Sequence, residues 1–294
     1  MGYILTQSAI GGVVMGVAYG IMAGGYTMVW GAMRVINFAH AAFGVLAAYA
    51  VFYLLKVCGL DPLLSLVVVI PGLFALGVIM QELLIRPLAN RARDITSASV
   101  VATLGVSILI ENAMLYSFSP TPRFIATSYS LKSFSVLSLT IPATYLIVLG
   151  LGIISMGGLS FFLSRTRIGR GIRAVWQDED GALLSGINPS LVNRIGYGIA
   201  LATAGIGGVA MCLIQSFVAS AQLSWMLLVW VIATFGGIGS VKGAVLGGIA
   251  IGVILNVGSV FIPRAYVTVI VYAIIIALLL IRPQGLFGNK ASLR

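Results

Sequence analysis

Apolar positions along the chain fall into long runs separated by short polar ones. A helix that crosses the hydrocarbon core of a bilayer needs about 20 predominantly apolar residues. On that criterion helices are predicted near 7–33, 36–55, 62–85, 96–118, 141–163, 195–217, 224–240, 243–262 and 265–281. Only a tight glycine turn divides the seventh from the eighth, so the pattern predicts eight or nine spans. The predicted fold is all-α, a polytopic membrane helix bundle forming a single transmembrane domain over residues 1–294. One long polar interruption stands out, RTRIGRGIRAVWQDEDGALLSGIN from Arg165 to Asn188, within a central loop of about 164–194.

Composition narrows this picture. The chain is 60% hydrophobic and 8% charged, whereas a soluble domain is about 25% charged, which excludes a water-soluble globule. The net charge of +10 sits mostly in short loops and reads as membrane orientation, not nucleic-acid binding, because basic short loops stay cytoplasmic. Arg86, Arg91 and Arg93 mark one cytoplasmic loop, Arg165 to Arg194 a second, and Arg282, Lys290 and Arg294 a tail. Two spans and then four separate these marks, and three spans before Arg86 place the N-terminus outside. No basic residue precedes the first apolar run, so no cleavable signal is expected and the first helix stays. Gly2 with Thr6 matches the loose myristoylation pattern by chance. Cys58 and Cys212 lie in or at the end of apolar runs and are expected to be buried small hydrophobes.

Several residues carry candidate chemistry. Gly12, Gly16, Gly20 and Gly24 recur every four residues, a row that lets another backbone approach; it serves tight packing or a moving interface. Gly243 with Gly247, and Ala244 with Gly248 and Gly252, repeat the device. Asn37 and His40 open the second helix, and a lone histidine builds no metal cluster. His40 either bonds a carbonyl across helices or lines a pathway. Glu82 and Arg86 form an i,i+4 pair, after which Pro87 is expected to break the helix. In the stretch Ala102 to Asn112, Glu111 is the one acid in an apolar segment. Such a residue is a functional candidate, unless it simply reaches water at the outer end.

The outer loop 119–140 alternates serines with apolar residues from Ser130 to Ser138, as a short surface strand or an irregular loop. In the central loop the acids Asp178, Glu179 and Asp180 suit the start of a short helix, and Gly186 supplies its stop. Asn188 and Pro189 read as the cap and first residue of the next span. The glycine-rich turn GGIGSVKGAVLGG, Gly236 to Gly248, lacks the phosphate-loop spacing. Broken backbone at membrane depth is tolerated only against protein or a water-filled cavity, so the turn marks a pathway wall or a tight hairpin. A membrane enzyme finds no paired carboxylates or nucleophile here. An ion-coupled carrier finds only Glu111 and His40 for a relay.

Six stretches together resemble the LivH-type permease of bacterial branched-chain amino acid ABC importers. They are Gly25-Tyr26-Thr27-Met28-Val29, Ile36-Asn37-Phe38-Ala39-His40, Ala102-Thr103-Leu104-Gly105, Arg167 to Ile187, Gly236 to Gly248, and Arg282-Pro283-Gln284-Gly285. The resemblance implies a multi-pass subunit of the bacterial inner membrane, paired with a second, LivM-type permease, two cytoplasmic ATPases and a periplasmic binding protein. ATP and Mg would be held by the ATPases, with no cofactor, metal or catalytic residue in this chain. It also implies that Asp178, Glu179, Asp180, Ala182, Leu184 and Gly186 form the coupling helix seated on an ATPase. Asn37, His40, Thr103, Glu111 and Asn112 are the candidates for the translocation pathway. Ala41 and Ser185 depart from the family's usual glycine and leucine. Relatives carrying urea, amides or small organic acids leave the substrate open beyond branched-chain and related neutral amino acids.

Overall fold

Inside a bilayer every backbone N–H and C=O must be satisfied within the protein, which long helices achieve alone. The computed structural model describes residues 1–136 and 139–288, and its spans are helices. Helix α1 runs from Gly2 to Met33 and ends where Arg34 turns left-handed at φ 54°. Helix α2 (His40–Cys58) stops at Gly59, φ 64°. Helix α3 (Pro62–Met80) begins on Asp61, whose carboxylate accepts the Leu63 N–H at 2.8 Å. It continues through a π turn (Gln81–Ile85) into α4 (Arg86–Arg91). Helix α5 (Ile95–Phe118) is capped by Asp94, whose carboxyl is held below its usual range chiefly by the Ser97 hydroxyl. Strands β1 (Ser133–Val136) and β2 (Leu139–Pro142) form an antiparallel hairpin, Ser133 opposite Pro142. Then come α6 (Ala143–Arg165), α7 (Arg167–Gln177), α8 (Glu179–Leu184) and α9 (Pro189–Ile214). The series ends with α10 (Ala221–Gly236), α11 (Val241–Gly258) and α12 (Arg264–Ile281).

Among the described residues, eight helices are long and apolar enough to cross a membrane, with α3, the π turn and α4 acting as one. The expected polytopic all-α bundle holds. The predicted helix at 224–240 is α10, a shorter apolar helix of 16 residues. It stops at Gly236 because Gly237 and Gly239 take φ 97° and 83°. Pro87 does not break its helix. The preceding turn is π-type, with the Arg86 N–H bonded back to the Gln81 carbonyl, and the wider turn gives the ring room where an α turn would clash. Cys212 is buried, but Cys58 is exposed at the last position of α2. The serine-alternating loop is a hairpin; Ser138, like Lys290 and Arg294, lies outside the described residues.

Helices α1 and α9 form the centre, each buried along most of its length. Small residues set how close the others come. Gly12 and Gly16 lie against the backbone of α11 at Gly252–Val253 and Gly248–Ile249. A β-carbon on Gly12 would stand 2.7 Å from Val253 Cα. Gly20 sits over Ala244 and Val245 less tightly, and Gly24 turns to Met156 of α6. On α9, Gly198 meets Gly77 of α3 and Gly208 meets Gly44 of α2. Without a hydrophobic drive between helices in lipid, such backbone approach carries the packing. Helices α5, α6 and α12 each bury one stripe and leave residues such as Leu109, Ile153 and Leu280 exposed on the outside.

The two ends of the bundle differ in charge. Arg34 and Asp94 come together at one end, where the Thr96 hydroxyl donates to the Arg34 carbonyl at 3.0 Å. Arg86, Arg91 and Arg93, the arginines from Arg165 to Arg194, Lys242 and Arg282 belong to the turns of this basic end. The N-terminus lies at the other end beside the hairpin: Gln7 Nε2 donates to the Thr140 carbonyl at 2.6 Å. Arg123 of the long loop pairs there with Phe217, backbone to backbone at 2.9 and 3.0 Å.

Candidate functional site

The six sequence stretches singled out above converge on the basic end. The hydroxyl of Thr27, buried near the end of α1, accepts the Gly239 N–H at 2.5 Å and donates to the Gly237 carbonyl at 3.5 Å. Glycine is required at 237 and 239 by their positive φ, so this threonine clasps a turn that other residues resist. The indole of Trp176, on α7, fills the slot between Gly31 and Gly239. A β-carbon on Gly31 would stand 2.8 Å from the ring, and one on Gly239 would overlap it. Residues after α12 close the third side: the N–H groups of Leu286 and Phe287 donate to Phe235 and Gly236 carbonyls at 2.9 and 3.2 Å. Gly285, at φ 74°, permits that approach. Three distant segments, α1, α7 and the residues after α12, thus meet at one turn.

A row of small polar residues lies beside this node on α5, at Ser99, Thr103 and Ser107, all buried and four apart. Ser99 and Thr103 hold the non-helical link between α1 and α2. The Ile36 N–H donates to Ser99 Oγ at 3.2 Å and the Phe38 N–H to Thr103 Oγ1 at 2.9 Å. Asn37, buried, accepts the Ala39 N–H at 3.0 Å and so holds a local turn just before α2. His40 Nε2 lies 3.0 Å from the Met22 carbonyl, which can only accept, so the ring proton sits there. Its ring meets Tyr26 edge to face at 5.6 Å between centroids. Further along, Ser107 donates to Gln222 Oε1 at 3.1 Å, and Gln222 Nε2 donates to Glu111 Oε2 at 3.0 Å. Glu111 is therefore tied to α10. Asn112 is exposed on the other side of α5 and bonds its own helix at the Ile108 carbonyl.

The central loop is two helices, not one. Arg167, Arg170 and Arg173 lie on the exposed side of α7, with Gly169, Ile172 and Val175 buried behind them. Asp178 is extended at φ −160°, ψ 109°, ending α7 and starting α8. Ala182 is buried, and its carbonyl accepts the Ile187 N–H at 3.0 Å. Gly186 closes α8 at φ 79°. Leu183 and Leu184 stand 59% and 90% exposed, with Asp178, Glu179 and Asp180 exposed beside them. Both apolar side chains thus stand outside the bundle, beside a cluster of acids. Glu82 joins the loop to the third span, bonding Arg86 at 2.8 Å and Arg194 of α9 at 2.7 Å.

Sequence reasoning missed Trp176, Ser99, Ser107, Gln222 and Arg194. The arginines at 167, 170 and 173, spaced by three, with Gly169, Ile172 and Val175 each two positions on, carried a helical signal for α7. Gln222 carried none, being one amide within an apolar run.

A bundle of eight crossing helices whose buried polar groups hold backbone, with an amphipathic two-helix loop at its basic end, defines a multi-pass membrane transport subunit. The chain belongs to the family described as branched-chain amino acid transport system, permease component, whose model matches residues 8–279. It is a family of transport subunits, not enzymes. The chain is 30% identical to the high-affinity branched-chain amino acid transport system permease protein BraD of Pseudomonas aeruginosa, over 98% of this chain and 97% of that one. It is 30% identical to the LivH permease protein of Salmonella typhimurium, over 96% and 95% of the two chains. A probable LivH permease of Methanocaldococcus jannaschii is 25% identical over 91% and 88%. No solved structure matches the chain.

Proposed function

We propose that this chain is the permease subunit of an ATP-driven importer in the bacterial inner membrane, admitting branched-chain or related small neutral amino acids. The observation that carries the reading is the basic end: a solvent-facing helix with two exposed leucines, joined through Trp176 to the α10–α11 turn. The excess of arginine supports a cytoplasmic position for that end. Helix α8 and its flanks, residues Asp178 to Gly186, seat on a cytoplasmic ATPase, which holds ATP and Mg. A second, LivM-type permease completes the membrane pair, and an external binding protein delivers the solute to the hairpin end. ATP-driven closure of the ATPases moves α8; α7 carries the movement through Trp176 to α1 and to the turn after α10. The near-complete span of the named relatives supports the amino-acid substrate. Urea, amides or small organic acids are the alternative cargo of the same machinery.

Gentle purification of the tagged chain from its own membrane, followed by mass spectrometry, tests the assembly. Recovery of an ATPase pair and a second permease is expected. Recovery of the chain alone, under conditions that preserve a known importer complex, refutes it. Uptake of radiolabelled leucine by the reconstituted complex, lost on ATP depletion and kept under an uncoupler, tests the mechanism and the substrate together.

A further inference from the structure

At the outer end, a cleft of about 540 Å³ opens between α1, α10 and α12. Its walls divide by chemistry. Met15, Trp225 and Leu228 are apolar, while Tyr19, Gln215 and Arg264 bring donors to the same space. Among the described residues, no aspartate or glutamate lines it. Arg264 is exposed at the mouth and has no ion pair among the described residues; its guanidinium meets only a soft partner, Nη2 to Met15 Sδ at 3.3 Å. The contrast with Arg123 at the same end is informative. Arg123 donates to the Phe118 carbonyl at 2.6 Å and lies over the Phe52 ring, so its charge is already engaged. Tyr19 is 3% exposed and lines the cleft. Arg264 is also the first residue of α12, an 18-residue helix whose N-terminal N–H groups favour an anion.

We infer that this cleft is a carboxylate-binding subsite of the translocation route, in which Arg264 and Tyr19 take the carboxylate of an amino acid and the Met15–Trp225–Leu228 wall takes its aliphatic side chain. Guanidinium matches carboxylate geometry with paired donors, and an apolar wall beside one polar cluster is how a small amphiphile is oriented. The inference rests on the importer reading for its substrate, while the preference for a carboxylate stands on the cleft alone. A lipid phosphate offers the same anionic oxygens, and the test separates the two.

The complex is made with Cys58→Ser, which removes the exposed thiol and leaves Cys212 buried, and with Ser224→Cys as a reporter in the cleft. The rate of maleimide labelling is measured with millimolar leucine, leucinamide or propionate, in vesicles of zwitterionic and of anionic lipid. Leucine and propionate should slow labelling several-fold and leucinamide should not. Arg264→Gln should abolish the protection, and Arg264→Lys should keep part of it. Equal effects of leucine and leucinamide, or no effect of any, overturn the subsite. A rate that follows lipid charge and ignores the carboxylates also overturns it, as a headgroup site. Leucine uptake is measured in parallel with the unsubstituted complex. Uptake without protection defeats the subsite and leaves the importer reading intact; protection by carboxylates without leucine uptake sustains the subsite and defeats the choice of substrate.

Discussion

Trp176 and Gly239 share one small volume: the indole lies where a β-carbon on Gly239 would have to be. Gly239→Ala therefore meets both this ring and a φ of 83° that alanine resists. Trp176→Ala leaves a void, and truncating a buried tryptophan costs about 3–5 kcal/mol at the upper end, less here because the ring is partly exposed. The two changes should be less than additive, Gly239→Ala doing less harm once the indole is gone. Thermal unfolding of the purified complex checks this; strict additivity would show that the contact carries no energy.

The glycine row of α1 should be graded, not uniform. A β-carbon on Gly16 would strike the Gly248 backbone, whereas one on Gly20 would stand 3.3 Å from Val245 Cα. Gly16→Ala should cut the yield of folded chain from the membrane sharply, and Gly20→Ala only slightly. Leucine at either position should be far worse. Equal yields for the two alanine variants, measured by fluorescence-detected gel filtration, would contradict the packing described.

Thr103 can be tested as a hydrogen-bonding group by matching shapes. Thr103→Val leaves the Phe38 N–H without its acceptor at 2.9 Å, and an unpaired buried donor costs about 1–3 kcal/mol. Thr103→Ser keeps the hydroxyl and should retain most of the stability. Equal melting points for the valine and serine variants would remove the bond from the account.

At α8 the surface and the backbone can be separated. Leu184→Asp alters a side chain that is 90% exposed, so the melting temperature should hold while co-purification with the ATPase fails. Gly186→Pro imposes a φ near −65° where the chain needs 79°, and should abolish uptake with the chain still in the membrane. Unimpaired ATPase recovery with Leu184→Asp would sink the docking role.

The legibility of this chain in its sequence followed the range of the interactions. Each span is a local property, about 20 apolar residues in a row, so the bundle could be read directly. The row Gly12, Gly16, Gly20 was visible, but not that Gly24 leaves it for Met156, because a straight row on one helix meets a neighbour that crosses it. Asp178 to Gly186 was readable from acids at one end and glycine at the other. Pro87 misled because the π turn that accommodates it has no signature in residue type. Trp176 was invisible as a functional residue: its meaning comes from Gly31 and Gly239, far apart in the chain and brought together only by the fold. Glu111 was noticed and its partner was not, since Gln222 gains significance only when α5 and α10 lie side by side.

The pairing of Leu286 and Phe287 with the Phe235–Gly236 backbone also fixes an order of events during synthesis. Those two residues are made after every one of the eight crossing helices, so the turn they clamp stays open on one side until the last helix has left the ribosome. Completion of the node thus follows completion of the whole bundle, and a nascent chain stalled anywhere before Gly285 presents an unfinished face at the basic end.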